Sequence, residues 1–139
     1  MADPTLMSDA SMQLGGILLL AIVTIESGGA YLLRVVQGDK ALTGFQTSFA
    51  RAGHAHAGVL VILALVCQLY ADAAELTGLW GWLGRSGVAF AAILMPAGFF
   101  FSSMGEGRVR PNQLVWLVYS GAVLLALGVA TLGVGLLAA

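Results

Sequence analysis

Arg51-Ala52-Gly53-His54-Ala55-His56-Ala57-Gly58-Val59-Leu60-Val61-Ile62-Leu63-Ala64-Leu65-Val66-Cys67-Gln68-Leu69-Tyr70 is the stretch whose reading decides the fold. It begins with a cation, holds both histidines of the chain, and then runs apolar with Gln68 as its one amide. An apolar run of ~20 residues spans the hydrocarbon of a bilayer, and it does so as a helix because lipid offers the backbone no hydrogen bonds. Ionisable side chains inside such a helix are expensive, so His54 and His56 mark a candidate functional site.

Composition extends that reading to the whole chain. Of 139 residues, 59% are hydrophobic and 9% charged, against ~25% charged in soluble domains. So little charge does not cover a water-facing surface, and the chain reads as an integral membrane protein. The net charge of −1 supplies no basic surface for nucleic acid. Cys67 has no partner for an intrachain disulfide and reads as a small apolar packing residue.

Outward from the central stretch, the pattern predicts four spans at about 14–36, 49–71, 79–103 and 113–137. Residues 1–13 form a polar N-terminal segment with Asp3, Asp9 and no Lys or Arg, the wrong sign for a signal peptide. Residues 14–139 are then one transmembrane domain. Short connections predict an all-α, up-down-up-down four-helix bundle. Arg34, Lys40, Arg51, Arg108 and Arg110 flank the first and third connections, and only Arg85 lies on the other side. This asymmetry places those connections in the cytoplasm and both termini outside. Tyr70, Trp80 and Trp82 fall at the outer interface, and Trp116, Phe45 and Phe49 near the inner one, levels that suit amphipathic rings. The expected location is the inner membrane of a bacterium.

Helical angles separate the two histidines. Residues two apart differ by about 200°, so His54 and His56 point to nearly opposite sides and do not chelate one ion from a regular helix. Arg51, His54, Val61, Gln68 and Asp72 share a polar stripe that is expected to face the bundle interior, Arg51, Gln68 and Asp72 supporting the site. His56 shares a second stripe with Gly53, Leu60, Leu63 and Cys67. Gly53, Ala57 and Gly58 leave room for another helix or a neighbouring protomer. On the first span, Gly15, Leu19, Ile22, Glu26, Gly29, Leu33 and Gln37 share a face, expected to turn toward a histidine. Glu26 sits near mid-span and needs a partner from another helix, a water or a proton.

A Glu and two His inside a membrane admit three readings. The preferred one is a haem or transition-metal site, since neutral imidazole is the commonest metal ligand and a carboxylate can ligate or orient it. Other ligands would be Met95, Met104 or the same histidine of a second protomer. A second reading is a proton or small-solute conducting oligomer using Glu26 and the histidines. The third is a non-catalytic subunit whose polar residues set helix register.

Gly53-His54-Ala55-His56-Ala57-Gly58 resembles the His-Ala-His segments of haem-binding membrane proteins distantly related to the main subunit of haem–copper oxidases. The resemblance covers these residues alone, and with no third histidine a complete oxidase site is excluded. It implies haem as the ligand.

Gly121, Gly128 and Gly135 recur every seven residues, a small-residue seam for helix packing. Pro96 predicts a kink in the third span, and Phe99, Phe100 and Phe101 read as lipid or interface contacts. No Ser-His-Asp set, phosphate loop or paired-cysteine motif is present, so the chain alone is not expected to be an enzyme. Its partners are the bilayer and either further copies of itself or other membrane subunits.

Overall fold

In the computed structural model, which describes residues 7–139, helix boundaries are set by caps rather than by the ends of the apolar runs. The Ser8 hydroxyl accepts from the Ser11 N–H and starts α1, Asp9–Val36, with Asp9 favourably placed in its first turn. Thr43 and Gln46 form a reciprocal capping box that starts α2, Gly44–Ala73, well before Phe49. A tight turn with Glu75 and Gly78 at positive φ leads into α3, Gly78–Ser103. Asn112 accepts from the Leu114 N–H and opens a short 3-10 turn, Gln113–Val115, that continues as α4, Trp116–Ala138. No strand occurs among the described residues. Of the expected polar segment 1–13, residues 1–6 lie outside those described, and Asp9–Gln13 already belong to α1.

All four helices are long and apolar enough to cross a membrane. Each packs on its neighbour in sequence, α1 on α2, α2 on α3 and α3 on α4, with a lighter contact between α2 and α4. Contacts between opposite ends show the pairings to be antiparallel: Ser8 with Asp72, Gln46 with Ser103, and Gly98 with Val118. The core lies along the α2–α3 seam, where Ala64, Val88 and Ala91 have no exposed surface. Gly87 and Gly128 bring α3 and α4 backbone to backbone, for a Cβ on Gly87 would lie 3.0 Å from the Gly128 Cα. Gly121 faces Met95 and Gly135 faces Leu76, so all three glycines of the α4 seam are taken up within the chain. Close approach of this kind, rather than escape from water, holds helices together in lipid.

Two expectations about faces are corrected. Phe99 and Phe100 pack against α2, at Phe49 and Gly53 respectively, and only Phe101 turns outward at 48% exposure. On α1, Leu19, Glu26, Leu33 and Gln37 are exposed, although Gly15 is buried and Ile22 and Gly29 are half-buried. The packed face is Leu14, Gly15, Leu18, Ile22, Ile25, Gly28 and Gly29, so Gly29 meets His54 as expected while Glu26 does not. α1 is apolar on nearly every side, with Ile17, Leu20 and Val23 exposed as well, so hydrophobic periodicity does not single out its packed face.

Candidate functional site

His54 projects from α2 toward α1 at the one place where α1 has two glycines in succession. A Cβ on Gly28 would lie 3.2 Å from His54 Nδ1, and one on Gly29 would lie 3.4 Å from Cε1 and 3.6 Å from Nε2. Glycine therefore shapes a notch that the imidazole fills. Among the described residues neither ring nitrogen of His54 has a hydrogen-bond partner, and neither is fully buried.

Beside this notch lies a cavity of about 550 Å³, within the ~300–1,000 Å³ of small-molecule sites. α1 contributes Ser27, Gly28 and Tyr31 to it, α2 contributes Gln46 and Ala50, and the end of α3 contributes Phe100, Ser103 and Met104. Gly28 belongs both to the cavity wall and to the His54 notch, and Ala50 precedes His54 by one helical turn. The wall is braced by Gln46, whose amide donates to the carbonyls of Ser103 at 3.0 Å and Gly105 at 2.7 Å. No charged side chain lines the cavity, but two arginines lie nearby. A smaller adjoining pocket shares Ser27 and Tyr31 and adds Arg34. The Arg108 side chain, donating to the Met104 carbonyl at 2.8 Å, lies beside Gly105 on the cavity wall.

His56 occupies different surroundings. Its Nδ1 lies 2.7 Å from the Ala52 carbonyl, which can only accept, so Nδ1 donates there, and Nε2 has no partner among the described residues. Its ring packs against Phe99 at 5.0 Å between centroids, on the α3 side of α2. Gly53, which shares that side, is closed off by the Phe100 ring. Glu26 stands exposed on α1 and has no hydrogen bond or ion pair among the described residues. The three ionisable residues are thus not gathered into one cluster, and no three His, Cys, Asp or Glu among the described residues are placed to hold a metal ion.

The supporting polar residues part in the same way. Arg51 is exposed, while Gln68 and Asp72 lie about 20 Å or more further along α2. There they join a clamp that the sequence reading missed. Asp72 accepts from the Ser8 N–H at 2.9 Å, from the Ser8 hydroxyl at 2.8 Å, and from Arg85 at 2.9 Å. Arg85 donates as well to the Ser11 hydroxyl, and Gln68 donates to the carbonyls of Ala64 and Arg85. Asp72 and Arg85 stand at opposite sides of the α2–α3 turn with opposite charge, and that was the available signal. The clamp ties α1, α2 and α3 at the end far from the cavity.

Chemically, the cavity offers an apolar and hydroxyl-bearing body; the His54 imidazole packs behind its Gly28 wall without lining it, and the guanidinium groups of Arg34 and Arg108 lie nearby. That combination suits a ligand with a polarisable or metal centre, an apolar frame and an anionic tail. Comparison with protein-family models, with curated proteins and with solved structures finds no match to this chain.

Proposed function

We propose that this membrane protein binds haem in the cavity beside His54, as a small redox, sensing or accessory unit. The observation that carries the reading is the unpartnered His54 imidazole in its glycine notch, next to a cavity that has Arg34 and Arg108 nearby. A macrocycle brings its own four nitrogens to the iron, so one or two axial protein ligands suffice. A bare transition metal would require more donors and would be disfavoured by the nearby Arg34 and Arg108. Carboxylate tails of the ligand would meet the same two side chains favourably. His54 would hold the iron, Phe100 and Met104 would flank the apolar frame, and Tyr31 and Ser103 would supply hydroxyl groups near the tail.

We propose an orientation as well. Five of the six Lys and Arg residues flank the first and third connections and only Arg85 lies at the other end, a count that favours the former end as cytoplasmic. The cavity mouth then opens toward the cytoplasm and both termini lie outside. Single cysteines replacing Asp9 and Gly107 in a Cys67→Ser background report this with an impermeant thiol reagent on intact cells. Labelling at position 9 alone is expected, and labelling at position 107 alone would reverse the orientation. Ser11, being fully buried, is no reporter.

The ligand itself is tested by purifying the protein in mild detergent from haem-sufficient cells. A Soret absorption band with stoichiometric haem is expected. A colourless protein that takes up no haem when titrated with haemin, while correctly folded by circular dichroism, would overturn the reading.

A further inference from the structure

Glu26 and His56 take no part in the cavity, and each has a hydrogen-bonding need unmet among the described residues. The contacts Ser8–Asp72, Gly15–Leu65 and Gly28–His54 fix the antiparallel register of α1 and α2. In that register Glu26 stands at the level of residues 54 to 56. The two groups therefore share one depth, about 15 Å from the C-terminal end of α1.

They also share one side of the molecule. On α1, Tyr31 and Glu26 lie about 120° and 100° to either side of Ile25, on opposite edges of the stripe that meets α2. Tyr31 lines the cavity, so Glu26 borders the reverse side of the α1–α2 seam. On α2 the cavity residues Gln46 and Ala50 fall on one side of His54, and the exposed Ala55, Val59 and Ile62 fall on the other. His56 closes that exposed strip at its α3 edge, against Phe99. The outward face of α2 thus has a carboxylate along one border and an imidazole with a free Nε2 along the other.

We infer that a second copy of this chain covers this face in a two-fold arrangement, with Glu26 of each protomer paired to His56 of its partner. A two-fold axis along the membrane normal preserves depth and exchanges the two borders, so each Glu26 meets a histidine at its own level. The carboxylate accepts from a protonated Nε2, or the protonated acid donates to the neutral ring; either removes an unpaired group from lipid. Ala55 between the borders, with open space at Gly58, lets the two α2 helices approach closely. This inference does not rest on the cavity reading, because neither residue touches the cavity.

Disulfide trapping in native membranes tests it. Differently tagged Glu26→Cys and His56→Cys chains, both in a Cys67→Ser background, are co-expressed and oxidised. A mixed dimer is expected at least tenfold in excess of either homodimer. Equal trapping in all combinations, or none, would overturn the inference, as would capture of Glu26→Cys chiefly by another membrane protein. In detergent, Glu26→Gln and His56→Ala should each weaken the dimer by roughly 3- to 30-fold. The exchanged pair Glu26→His with His56→Glu should restore it. Failure of the exchange while both single variants fold would count against the pairing.

Discussion

The two ends of α2 carry similar polar residues in opposite states of satisfaction. At the Asp72 end, charges and hydroxyls from three helices pair among themselves, and Gln68 Oε1 is the single buried atom left over among the described residues. At the His54 end the imidazole is unpaired, and the space next to it forms a cavity rather than closing. A satisfied polar network in an apolar surround fixes one packing. An unsatisfied group beside an open volume is a place for something else to bind. Polar content alone therefore does not separate structure from function in this chain; the pairing does.

The comparison is broken most forcefully at the satisfied end. Arg85→Ala leaves Asp72 without its cation and should cost about 2–3 kcal/mol of stability, read by thermal or denaturant unfolding in detergent. Its haem content, once folded, should stay unchanged. Parallel loss of ligand and stability would erase the distinction between the two ends.

A smaller effect of the opposite kind is expected at the mouth. Reversing Arg34 and Arg108 together to Glu should weaken haem binding by about tenfold or more, as each loses a favourable charge and gains a repulsive one. Unfolding should shift by only about 1 kcal/mol, from the lost Arg108 hydrogen bond to the Met104 carbonyl, because Arg34 makes no ion pair among the described residues. The effect should shrink as salt is raised.

The least disruptive change is in the notch. A Cβ at Gly28 would stand 3.2 Å from His54 Nδ1, so Gly28→Ala asks the ring to move by a few tenths of an ångström. The expected cost is about 1 kcal/mol or less in stability, with a visible shift of the bound-haem spectrum. Gly16→Ala, in open space, serves as the control and should leave the spectrum alone.

The four helices were legible because length and apolarity are what lipid demands of a span, and the caps at Ser8 and Thr43 explain why two helices begin earlier than their apolar runs. The divergence of His54 and His56 followed from helical angle alone. What stayed hidden depended on neighbours. The packed face of α1 could not be read because Ile17, Leu20 and Val23 are as apolar as the residues that face α2. The Asp72–Arg85 pair crosses a turn, and grouping Asp72 with the histidines on one stripe ignored the length of helix between them. The cavity was illegible because Tyr31, Gln46 and Ser103 come from three helices whose register only folding sets.

The central claim is that the two sides of α2 do different work, and one paired measurement reaches it most directly: haem content and oligomer mass of His54→Ala and His56→Ala, purified side by side. The account predicts that His54→Ala loses its haem and remains a dimer, while His56→Ala keeps its haem and dissociates more readily. Loss of both properties in both variants, or haem retained at full occupancy in His54→Ala, would contradict it.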